Sequence, residues 1–96
     1  MVYEWNAAKA KANRQKHGVS FEEAATVFLD PLALTFPDPD HSAAEAREIT
    51  IGYTAGQRFV LVSHCQRGDR TRTISARKAT KKERLQYEEG IDKETK

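Results

Sequence analysis

Residues 47 to 78 read as three strands in succession, and that run limits the fold more than any other stretch. In the first segment Ile49, Ile51 and Tyr53 alternate with Glu48, Thr50 and Gly52, the period of a strand with one buried face. The chain turns near Gly56. Phe59 to Val62 is then apolar on both parities, as a central strand covered on both sides is. Gly68 breaks the run again, and Arg70 to Ala76 follows. Three neighbouring strands joined by short turns pair antiparallel, and their apolar face must be buried under helices.

The flanking segments supply those helices. Val2 to Trp5 alternates and reads as a short strand. Asn6 is placed to cap a helix reaching His17, with Gly18 at the left-handed position after it. Ser20-Phe21-Glu22-Glu23 is a capping box, and Val19 with Ala24 forms its hydrophobic staple. The helix it opens ends near Phe28, ahead of Asp30-Pro31. Residues 33–36 suggest another strand, stopped by the turn Pro37-Asp38-Pro39-Asp40. Thr80 to Glu83 is a second capping box, opening a helix to about Glu89. The expected fold is α+β and two-layered: an antiparallel sheet meander with two N-terminal helices and one C-terminal helix. Residues 1–90 form one domain in this reading, and 91–96 a polar, frayed tail.

A chain of 96 residues supports one modest core. No apolar run approaches the roughly 18 residues of a membrane span, and no signal-peptide pattern opens the sequence. The single cysteine, Cys65, has no internal partner for a disulfide, so a reducing cytoplasm is the expected compartment.

The net charge of +2 conceals strong segregation. Residues 1–18 carry four basic groups and one acid, residues 19–57 one basic group and seven acids, and residues 67–84 eight basic groups and two acids. If the basic segments meet in space, they make a surface for an anionic partner such as nucleic acid. Cleaving RNA without a metal requires a base for the 2′-hydroxyl, a proton for the leaving 5′-oxygen, and charge stabilisation at the phosphoryl oxygens. Arginine suits the last task because its planar fork holds two oxygens at once. Arg67, Arg72 and Arg77 are the catalytic clamp candidates, with His64 as the candidate proton-transfer group. Lys9, Lys16, His17, Arg70, Lys78 and Lys81 are candidates for RNA binding. Lys9, Asn13 and Lys16 share a helical stripe, and His17 also suits the negative end of its helix. Asp38, Asp40 and His41 lie in a proline-punctuated loop without paired His or Cys ligands, so no metal site and no cofactor is expected. Tyr87 reads as packing.

The register of the last hairpin decides which of these groups share a face. If Arg67-Gly68 is the two-residue turn, Leu61 meets Ile74, Phe59 meets Ala76, and His64 lies away from Arg70 and Arg72. A three-residue turn sets His64 opposite Arg72 and Val62 opposite Ile74. Turn chemistry favours the first register and a tight catalytic cluster the second.

Several motifs in order, "KHGVSFEEA", Asp30-Pro31, His41-Ser42 and "ISAR", resemble the BrnT family across residues 3 to 89. That resemblance implies a RelE-like ribonuclease toxin of a type II toxin–antitoxin module. It also implies a cognate BrnA-like antitoxin with a ribbon-helix-helix DNA-binding domain, which silences the toxin and joins it in a larger complex on operator DNA. The family often carries Glu where this chain has Gln66. A noncatalytic nucleic-acid-binding module and a protein-interaction domain are the alternatives that the charge pattern alone leaves open.

Overall fold

The computed structural model describes residues 2–41 and 45–94. Ser42 and the last two residues of the tail lie outside them. The elements are β1 (Val2–Glu4), α1 (Ala7–His17), α2 (Phe21–Ala25) continued by a 3-10 turn (Thr26–Leu29), β2 (Leu34–Pro37), a second 3-10 turn (Pro39–His41), β3 (Arg47–Tyr53), β4 (Phe59–Arg67), β5 (Arg70–Lys78) and α3 (Lys81–Glu94). The sheet runs β1-β5-β4-β3-β2. The α+β architecture is the expected one. β2 to β5 form the antiparallel meander, and β1 joins the open edge of β5 in parallel. The last helix runs five residues past the expected end at Glu89.

The caps follow the sequence closely. The Lys9 N–H donates to Asn6 Oδ1 at 3.0 Å, and Gly18 closes α1 at φ +70°. At α2 only half of the capping box forms. The Glu23 N–H donates to Ser20 Oγ, while the Glu23 carboxylate turns away to accept from Arg58 and Thr54. The box at α3 is complete: the Thr80 N–H donates to Glu83 Oε1 and the Glu83 N–H to Thr80 Oγ1.

Helices cover both faces of the sheet, which changes the layering expected from sequence. On one face α1, α2 and the first 3-10 turn bury Val19, Phe21, Ala24 and Val27 against Val60, Val62 and Ala76. On the other, α3 packs Tyr87 against Ile51 and Leu61, with Phe59 and Tyr53 edge-on to its ring. α3 covers the Tyr53–Phe59 end of that face and reaches Leu61 and Arg77. At the other end, beside the β4–β5 turn, Arg67 and Arg70 are exposed.

Asn13 is buried within α1, not part of a phosphate-binding stripe. Its amide donates to the carbonyls of Val19 and Ala76, and its carbonyl oxygen accepts from the Ala76 N–H. Since β1 pairs with β5 only at Arg70–Arg72, Asn13 satisfies the edge backbone that β1 leaves open.

Candidate nucleic-acid interface

The β4–β5 hairpin turns on Gly68-Asp69, with Arg67 paired to Arg70. Gly68 takes φ +61°, as glycine does at the first central position of a type II′ turn. Neither register anticipated from the sequence is correct. Both place the glycine second in the turn, and it is the first.

A bulge near Ile74 then changes the parity of β5. Cys65 pairs with Arg72 and His64 with Thr73, but Ser63 pairs with Ser75 and Leu61 with Arg77. One extra residue is accommodated between Thr73 and Ser75, so the side chains beyond it swap faces. The burial pattern records the switch: Thr71 and Thr73 are buried before the bulge, and Ala76 after it.

As a result Arg67, Arg70, Arg72 and Arg77 share the face that α3 partly covers, because their partners Cys65 and Leu61 alternate regularly with Arg67 along β4. Arg47, opposite Cys65 on β3, joins them. The sequence reading missed Arg47, which sits inside an acidic segment. Its even spacing from Ile49 and Ile51 places it on their face.

Carboxylates from β1, α3 and the loop before β3 pair with three of these arginines. Arg67 donates to both oxygens of Glu45, from Nε at 3.1 Å and Nη2 at 2.7 Å. Arg77 donates to both oxygens of Glu83 at 2.8 and 2.7 Å. Arg72 lies 3.7 Å from Glu4. Arg67 hydrogen-bonds hold the Glu45 carboxyl below its ordinary pKa, and Arg77 holds Glu83 at about 2. Both are therefore ionised at neutral pH. Arg67 and Arg77 are each held by two hydrogen bonds to one carboxylate, while the side chains of Arg67, Arg72 and Arg77 remain 25–45 % exposed.

His64 is on the opposite face. It is buried edge-on against Phe28, and its Nε2 shares a 2.7 Å hydrogen bond with Thr50 Oγ1. Burial pushes its pKa down and keeps it neutral. The grouping of His64 with the arginines is thus corrected, for a strand sends adjacent residues to opposite faces. Lys9, Lys16 and His17 are also on that side, carried by α1. Lys78 follows Val60 to the same face. The two basic segments meet through β1 and α1 on β5, but the cations of α1 and the arginine row lie on opposite faces of the sheet. Lys81 opens α3 and lines a pocket with Phe59, Thr80 and Arg84, apart from the arginine row.

Cys65 is buried between the arginines, its Sγ 3.4 Å from Glu45 Oε2, and burial raises its pKa. Tyr87 is buried and donates a long hydrogen bond to Asp30, with its pKa pushed up to about 12, chiefly by burial. Both behave as packing groups. Among the described residues no three His, Cys, Asp or Glu side chains are arranged to hold a metal. His41 and Asp38 instead hydrogen-bond each other.

A family model described as "Ribonuclease toxin, BrnT, of type II toxin-antitoxin system" matches residues 5–83. The 1.1 Å crystal structure of the Brucella abortus ribonuclease toxin BrnT is similar at 25% identity, with a TM-score of 0.66. That match covers 84% of this chain and 100% of the other. No curated protein sequence matches.

Proposed function

Because the chain belongs to the BrnT family of type II toxin–antitoxin ribonuclease toxins, we propose that it cleaves RNA without a metal on the arginine-lined face of its sheet. The observation that carries this reading is the row Arg67, Arg70, Arg72 and Arg77 on one face, completed by Arg47. Arg67, Arg72 and Arg77 hold the scissile phosphate and stabilise the charge that grows on its oxygens. Arg70 guides the flanking backbone, and Lys81 adds a cation at the start of α3. Arginine does not give up its proton in proteins, so proton transfer falls to other groups. Glu45, ionised and held by Arg67, accepts the 2′-hydroxyl proton. The 2′-oxygen attacks phosphorus, the bond to the 5′-oxygen breaks, and that oxygen takes a proton from water. His64 supports the sheet from below and takes no proton in this scheme.

Such a face must be silenced in the cell that makes it, and an acidic antitoxin segment laid over Arg67 to Arg77 does so by excluding RNA and neutralising the field. The antitoxin of this reading is BrnA-like, with a ribbon-helix-helix domain that takes the pair to operator DNA. The compartment is the cytoplasm; among the described residues no helix is long and apolar enough to cross a membrane.

The test is incubation of purified protein with RNA in EDTA, followed by analysis of the new ends. Cleavage leaving 2′,3′-cyclic phosphate or its 3′-phosphate product is expected. Loss of activity in EDTA, or 5′-phosphate ends, contradicts the mechanism. Salt-sensitive RNA retention without cleavage assigns a binding module instead.

A further inference from the structure

Arg77 belongs to two sites at once. It ends the arginine row, and it also lines a cavity of about 190 Å³ between α3 and the face formed by β2 to β5. We propose that this cavity, lined by Phe36, Ile49, Ile51, Leu61, Gln86 and Tyr87, is a nucleobase subsite that selects the base beside the phosphate held by Arg77. The inference rests on the reading of the arginine face as the RNA site, and it adds a specificity determinant to it.

The lining has the chemistry of base recognition. The walls are mostly aromatic and aliphatic, with the Arg77–Glu83 pair at the charged end, and Phe36 on β2 keeps 44% of its surface exposed at the sheet edge. A large ring left open across the cavity from Arg77 is a platform for stacking, which tolerates any base. Tyr87 is held rigid from behind by edge-to-face contacts with Phe59 at 4.8 Å and Tyr53 at 6.3 Å. Selectivity needs a polar edge as well. Gln86 supplies it: its amide offers both a donor and an acceptor at the rim, and it has no hydrogen-bond partner among the described residues. Pockets for drug-sized ligands run to about 300–1,000 Å³, so this smaller space suits a single flat ring system. Continuity with the arginine row decides the occupant. A base whose phosphate sits on Arg77 reaches the cavity directly.

The experiment uses the intact chain and uncleavable 2′-O-methyl tetranucleotides, one for each base, followed by chemical-shift mapping. All four are expected to perturb Arg67, Arg72 and Arg77. The preferred base moves the Phe36 ring and the Gln86 amide, and binds at least fivefold more tightly than the poorest. Phe36→Ala and Gln86→Ala, at accessible positions, each reduce that ratio to less than twofold while the arginine signals still respond. Perturbed arginines with silent Phe36 and Gln86, and ratios unchanged in both variants, overturn the subsite but leave the arginine reading standing. Silence across the whole face overturns both. A cavity that responds only when an apolar side chain of an antitoxin segment is added, and never to the tetranucleotides, also overturns it.

Discussion

Arg72 and Arg77 are five residues apart on one strand, yet they share a face. In a regular strand an odd separation sends side chains to opposite sides. The bulge near Ile74 adds the residue that restores their common direction, and it moves Ala76 into the helix-covered core at the same time. One irregularity therefore completes both a clamp and a core.

The neighbours Arg77 and Lys78 test this parity. Arg77→Ala should lower RNA cleavage by at least tenfold, whereas Lys78→Ala, on the other face, should change it by less than twofold. Initial rates measured well below the melting temperature separate this from any loss of stability. Equal effects at the two positions would place the bulge elsewhere.

His64 gives a second contrast. Its burial among Phe28 and Thr50 lowers its pKa, so the unfolded chain binds its proton more readily than the folded one. Stability is then fully present above the unfolded value near 6.5 and declines as pH falls below it. His64→Gln should remove that part of the acid destabilisation and keep cleavage by the folded variant within about threefold of wild type. A loss of a hundredfold or more in kcat with an intact fold would return His64 to the chemistry.

Glu45 has two opposed roles in this account. As a partner of Arg67 it competes with phosphate, and as a base it serves the reaction. Glu45→Gln should tighten RNA binding and lower single-turnover cleavage together. If binding tightens while cleavage rises in step, Glu45 is only a mask.

The start of α3 should be sensitive to acid. Arg77 and the Thr80 backbone hold Glu83 at about 2, below its usual 4.5. A depressed carboxyl pKa contributes stability that is present above about 4.5 and is lost as pH falls toward 2. The pair is partly exposed, so the contribution is about 1 kcal/mol after solvent screening. Glu83→Gln should lower the melting temperature at pH 7 and flatten its fall between pH 4.5 and 2. An unchanged acid profile would show that the capping box is not formed in solution.

The sequence made most of the scaffold legible because its signals are local. Asn6, Gly18, Ser20 and Thr80 act within a few residues of themselves, and the alternation of Ile49, Ile51 and Tyr53 reads directly as a face. The arginines were found by type, while their geometry was not. Whether Gly68 is first or second in its turn changes the pairing of every residue in β5, and a bulge leaves no composition to detect. Arg47 went unnoticed as a member of the row because acids surround it in sequence. Asn13 looked like a surface residue on an otherwise polar helix, since its partner at Ala76 is 63 positions away. The carboxylates Glu4, Glu45 and Glu83 reach the row from separate segments, a convergence that only the folded sheet supplies.

The central claim is that RNA is cut on the arginine face, and the single-turnover cleavage rate of folded Arg67→Ala and Arg72→Ala variants tests it most directly. Loss of one such transition-state contact typically costs about 2.7 to 4 kcal/mol. Each variant should therefore cleave at least tenfold more slowly than wild type, with an unchanged circular dichroism spectrum. A folded Arg67→Ala/Arg72→Ala double variant that cleaves at the wild-type rate would contradict the account.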